Sequence, residues 1–116
     1  MLLIEGNIIT LTRGDSAYIH VELTTEDGSA YQMQEGDRLR LTVRERADDS
    51  HIILMETESS TDTILLAPAV TGAVAPGKYS CDIQLETAAG DVYTVLGAES
   101  VRTNLKNFVV LPEVTV

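Results

Sequence analysis

Tryptophan is missing from this 116-residue chain, which has one phenylalanine and four tyrosines. So few aromatics argue against a platform on which sugar rings or single-stranded bases stack, and they leave the core to leucine, isoleucine and valine. Cysteine occurs only as Cys81, so no disulfide can close within the chain. Basic side chains are scarce, eight against eighteen acidic ones, and the formal net charge is −10. A surface of that sign repels phosphate backbones, which makes nucleic acid a poor partner, and it favours solubility. No apolar stretch approaches the length of a membrane span, so no membrane partner is expected. Met1–Ile4 is cut off by Glu5-Gly6 and follows no basic residue, too short for the apolar region of a signal peptide. The expectation is a soluble protein made in the bacterial cytoplasm.

What the chain does have is alternation. In Lys78–Leu96, KYSCDIQLETAAGDVYTVL, the residues Tyr79, Cys81, Ile83 and Leu85 alternate with Ser80, Asp82, Gln84 and Glu86. A period of two puts the apolar set on one face of a strand. Ala89-Gly90-Asp91 supplies the turn, and Val92–Leu96 returns as the second strand of a central hairpin. Further strands are predicted at 8–12, 16–24, 38–45, 52–56, 63–67 and 107–111, with 99–103 continuing outward after Gly97. Arg13-Gly14-Asp15, Glu26-Asp27-Gly28, 47–50 and 58–61 read as turns, 29–37 as loop, and 68–74 as room for one helical turn. The nearly all-apolar run at 52–56 suggests a strand covered on both faces or lying at an interface. Short strands with turns about every ten residues predict a single all-β domain over 1–116. Its expected architecture is an antiparallel, immunoglobulin-like β-sandwich of about eight strands with at most one short helical turn. Roughly twenty inward aliphatic positions, each contributing on the order of 1.5–3 kcal/mol when buried, are enough to fold it without a metal or disulfide.

Chemistry is sparse. Cys81 falls on the inward face beside Asp82, the setting of a core thiol and not of a nucleophile. His20 sits on an outward strand face, with no Cys or His at ligand spacing for zinc. His51 follows Asp48-Asp49-Ser50, where loop solvation explains the cluster as well as a cation does. Leu23–Gln34 fails as a calcium loop because Leu23 stands where a carboxylate is required. Arg13-Gly14-Asp15 spells an adhesion tripeptide, but turn-forming Gly and capping Asp account for it. No phosphate loop, nucleophile elbow or catalytic carboxylate pair is present, so no enzyme, cofactor or metal site is expected.

Two features point to contacts. Arg38, Arg40 and Arg44, with Arg46, hold half of the eight basic side chains and form a stripe on one outward strand face. They either pair across strands with carboxylates such as Glu22, Asp82 or Glu86, or dock onto the acidic surface of a neighbouring subunit. In the docking reading, Arg40→Glu weakens assembly and leaves the melting temperature nearly unchanged. The apolar ends, MLLIEG with Leu2 and Leu3 and VLPEVTV with Val114, lie outside the expected core. They pair with each other as edge strands or add to another chain's sheet.

The order of these pieces resembles the N-terminal domain of phage baseplate upper proteins and related small tail-associated proteins of phages and prophages. The resemblance runs from ITLTRGDSAYIHVEL through EGDRLRLTVRE to PGKYSCDIQLETAAGDVYTVLGAESV. Arg13-Gly14-Asp15-Ser16, Gly36-Asp37 to Val43, Gly77-Lys78-Tyr79 with Asp82-Ile83, and Thr94 with Gly97 occupy the places of the family's motifs. Family members usually continue into a long helical or receptor-binding region, so a chain ending at Val116 is expected to be a stand-alone version. The resemblance implies a non-enzymatic structural or adaptor protein of a tail or baseplate, assembled into a virion. It would act through protein–protein contacts with other tail proteins or with itself as a homo-oligomer. The alternative is a small ligand- or carbohydrate-binding β-sandwich module, for which only Tyr18, Tyr31 and Tyr93 could form an aromatic platform.

Overall fold

The computed structural model describes residues 2–5, 8–25, 27–45, 53–96 and 107–113. Among them are nine strands and one helical turn: β1 (Leu2–Glu5), β2 (Ile8–Thr12), β3 (Ala17–His20), β4 (Arg38–Arg44), β5 (Met55–Ser59), β6 (Thr63–Leu66), α1 (Pro68–Thr71), β7 (Gly77–Glu86), β8 (Val92–Leu96) and β9 (Phe108–Leu111). The domain is all-β, as expected, and the helical turn stands where the sequence left room for it. The expected strand at 99–103 lies outside the described residues.

Seven strands form one curled sheet in the order β1-β2-β9-β7-β4-β5, with β8 also paired to β7. The remaining two, β3 and β6, make an antiparallel ribbon with Ile19 opposite Ile64 and Ala17 opposite Leu66. Alternation sets the faces. Leu39, Leu41 and Val43 of β4 are buried and the residues between them are not. Cys81, Ile83 and Leu85 of β7 join them, with Ile9, Leu11, Phe108 and Val110 from β2 and β9. All pack in one cluster with Ala17, Ile19, Ile64 and Leu66 of the ribbon.

The expectation of a purely antiparallel arrangement is corrected by β2 and β9, which run parallel with Ile9 opposite Phe108 and Leu11 opposite Val110. Parallel partners need a long crossover, so the pairing leaves no hairpin signature in the sequence. It also moves the C-terminal segment inward. Val110 and Leu111 belong to a strand flanked by β2 and β7, and among the described residues the N-terminal β1 pairs with β2 alone. A second correction concerns β5, which begins at Met55. Ile53 and Leu54 precede it and stay exposed, so the apolar run is not a doubly covered strand.

β7 is the hub. Residues 80–86 pair with β4 along one edge. Along the other edge residues 77–79 pair with β9, and residues 83–86 pair with β8 past an irregularity at Ile83/Gln84. Between those two ladders the backbone of Cys81 is met by a side chain: Asn107 Oδ1 accepts from Cys81 N at 2.7 Å and Asn107 Nδ2 donates to Cys81 O at 2.9 Å. Asn107 is fully buried, and its own carbonyl accepts from Ile9 N at 2.8 Å.

The Arg13-Gly14-Asp15 turn is used internally. Arg13 Nε donates to Gly72 O at 3.1 Å, and the buried Thr71 hydroxyl donates to Asp15 O at 2.7 Å, which clasps the turn to α1. Pro68 starts α1 with its fixed φ, at a position where its missing N–H costs nothing.

Replacing Asn107 by Ala leaves the N–H and C=O of Cys81 buried without partners. At about 1–3 kcal/mol for each of the two orphaned groups, the expected loss is roughly 2–6 kcal/mol. Urea unfolding measures it, and faster exchange of the Cys81 amide locates it.

Candidate functional site

Two surfaces on the described part of the molecule bring functional groups together. The first is the outward face of β4. Strand register sets Arg40 opposite Glu58 of β5 and Arg38 opposite Glu86 of β7. Arg40 Nη2 lies 2.8 Å from Glu58 Oε1 and 3.4 Å from Glu86 Oε2, and Arg40 Nε lies 3.0 Å from Glu58 Oε1 and 3.7 Å from Glu56 Oε1. Arg38 reaches Glu58 at 3.6 Å and Glu86 at 3.4 Å. The hydrogen bonds that Arg40 donates to Glu58 and the surrounding carboxylates hold its guanidinium firmly charged. Half-burial pushes the Asp82 carboxyl up, and the charge of Arg44 opposes that rise.

Of the three expected carboxylate partners, Glu86 pairs with Arg38 and Arg40, and Asp82 feels Arg44. Glu22 lies elsewhere. Glu56 and Glu58 were missed because the apolar run ahead of them set the strand three residues too early. The alternation in METES carries the signal, with Met55 buried and both glutamates exposed. The arginine stripe is thus the middle row of a three-strand charge ladder and not a bare basic patch. Leu2 and Leu3 stand on β1, opposite Leu11 and Thr10. Val114, Arg46 and His51 lie outside the described residues.

The second surface is a groove of ≈ 560 Å³ lined by Glu22, Leu23, Thr24, Thr25, Tyr31, Leu85, Thr87, Tyr93, Thr94 and Val95. Its walls come from the chain after β3 and from the β7–β8 hairpin. Tyr31 is fixed at two points: its N–H donates to Leu23 O at 2.9 Å and its hydroxyl donates to Asp37 Oδ2. The buried Asp37 also accepts from Gln34 N at 2.9 Å and from Ala88 N at 3.1 Å, so one carboxylate ties loop 31–37 to the hairpin turn. These donors, the Tyr31 hydroxyl first, hold the Asp37 carboxyl below the usual carboxylate range. Gly36 makes the approach possible. It has φ +91°, and a Cβ there would come within 2.7 Å of Ala88 Cβ.

Tyr93 stands opposite the buried Leu85 on β8, yet it is 55% exposed. Neither tyrosine's place in a common groove was visible in the sequence, because the groove joins segments that alternation treats separately. Tyr18 does not join them; it lies exposed on the ribbon opposite the exposed Leu65.

His20 is on the surface, with Nδ1 3.4 Å from Thr63 Oγ1 and 3.7 Å from Asp62. Burial, with the charge of Asp82, pushes the Cys81 thiol up to about 12, which makes it a poor nucleophile. Among the described residues no group of three or more His, Cys, Asp and Glu is placed to hold a metal ion. No protein-family model, curated protein or solved structure matches the chain.

Arg40→Glu would set four carboxylates side by side on the sheet. It is expected to lower the melting temperature, whereas Arg40→Met costs about 1 kcal/mol or less; thermal melts at low and high salt separate the two. Because the pKa of Asp37 is depressed in the fold, its contribution to stability is present above the unfolded value near pH 4 and is lost as pH falls through the folded value. Asp37→Asn should therefore lower the melting temperature at neutral pH and flatten its decline in acid, read from melts across that range.

Proposed function

We propose that the chain is a non-enzymatic structural or adaptor component of a phage or prophage tail or baseplate, made in the cytoplasm and assembled into a virion through protein–protein contacts. A β-sandwich of the immunoglobulin-like kind is the architecture we infer for it, with the ribbon of β3 and β6 as part of the second layer. The observation that carries the contact reading is β1. This apolar strand ends the larger sheet and, among the described residues, pairs on one side only. An apolar terminal strand offers backbone donors and acceptors to a neighbouring chain, which is how sheets are extended between subunits.

The sequence resemblance supports the same reading. Its motif residues are those that hold the fold: Arg13 on Gly72, Gly36-Asp37 against Ala88, and the Tyr79 hydroxyl donating to Ala75 O at 2.6 Å. Acidity fits an assembly protein, since a net charge of −10 suppresses indiscriminate association until backbone pairing supplies a specific contact. Other tail proteins or a second copy of the chain are the partners in this reading, with Leu2, Leu3, Val114 and the charge ladder of Arg38, Arg40 and Arg44 as the contact surfaces.

Light scattering across a wide concentration range tests homo-assembly. A stable dimer, trimer or hexamer is expected, and Leu3→Lys should shift it toward the monomer without changing the far-ultraviolet circular dichroism. A monomer at every concentration would count against self-assembly.

A further inference from the structure

We infer that the groove between the segment after β3 and the β7–β8 hairpin is a binding site for an uncharged saccharide. The site is independent of the assembly reading. Its composition suits a molecule with an apolar face and a polar edge. Leu23 and Leu85 are buried at the floor, with Val95 beside them, and four threonines (Thr24, Thr25, Thr87 and Thr94) stand around it. A pyranose presents the same combination, a C–H face and a rim of hydroxyls.

Tyr31 and Tyr93 supply the rings. Tyr31 comes to the groove already held by Leu23 O and Asp37, so little side-chain freedom is lost on binding. Tyr93 is the more open of the two rings. Its cross-strand neighbour Leu85 is 6% exposed while Tyr93 is 55% exposed, so an aromatic face adjoins the apolar floor and is open to a ligand. The hydrogen-bonding groups are in place as well. Thr87 Oγ1 accepts from Asp91 N at 3.0 Å, which leaves its own proton to donate outward.

Charge selects against the other small ligands of similar size. Of the described lining residues none is basic and one, Glu22, is acidic, in a chain of net charge −10. Phosphorylated or carboxylated ligands are repelled, while the carboxylate of Glu22 can accept from neighbouring sugar hydroxyls. The volume, ≈ 560 Å³, falls inside the range of about 300–1,000 Å³ that holds small ligands. The low aromatic count argued against a stacking platform, but a total does not show that two of four tyrosines converge on one groove.

Titration of the ¹⁵N-labelled protein with millimolar lactose, maltose, cellobiose and diacetylchitobiose tests the site. At least one is expected to shift the amides of Thr24, Thr25, Thr87 and Tyr93–Val95 in a saturable way. Tyr93→Ala should weaken that binding about tenfold, while Tyr93→Phe, which keeps the ring, retains it. The amide spectrum away from the groove reports that both variants are folded. Absence of shifts with all four sugars, shifts placed elsewhere, undiminished binding by Tyr93→Ala, or tighter binding of the anionic sialyllactose than of lactose would each overturn the assignment.

Discussion

Asn107 and the backbone of Cys81 close the gap between two ladders on one edge of β7. β7 is shared by two ladders along one edge, and where one partner ends and the next begins the backbone would face the interior unpaired. A primary amide presents a carbonyl acceptor and an NH2 donor side by side, as a strand would, so it completes the ladder without one. The same residue's main chain accepts from Ile9. One buried residue, directly ahead of β9, therefore joins β7 through its side chain and β2 through its main chain.

How much of this could be read from the residues depends on the kind of signal involved. β4 was legible because strict alternation matches its buried face, and β7 from Cys81 onward for the same reason, although Ser80, expected outward, is buried beside Cys81 and Tyr79 is half-buried. β3, β6, β9 and α1 were placed within a few residues. Pairing between distant strands was not legible. The parallel partnership of β2 with β9 has no local trace, and so Val110 and Leu111, read as the start of an apolar edge, are interior. The apolar run at 52–55 drew the reading away from METES, and with it went Glu56 and Glu58, two of the three carboxylates that meet Arg38 and Arg40. Asn107 could not have been singled out by pattern, since the strand expected at 107–111 includes it but period-two alternation gives no sign of what its side chain bonds.

The candidate site follows the same division. Its chemistry is spread over Glu22–Thr25, Tyr31 and the β7–β8 hairpin, brought together by one carboxylate. Asp37 binds the Tyr31 hydroxyl and the Ala88 amide at once, which ties the loop to the hairpin. A charged group is well suited to this, because bonds to an ionised acceptor are stronger than those between neutral groups. The opposite face of the sheet carries its charges as a ladder, which leaves net acidity in the chain without leaving Arg38 or Arg40 bare.

The placement of β9 also sets the order of events when the chain is made. β2 waits for a parallel partner about a hundred residues away, and contacts of such long sequence separation form slowly. A ribosome that has released β1 through β8 holds a sheet with a gap between β2 and β7. Ile9 and Leu11 then remain uncovered on one side until residues 107–111 emerge. During that interval the nascent polypeptide presents an apolar, strand-ready surface of the kind that chaperones retain, and completion of the domain is a late, nearly all-or-none step.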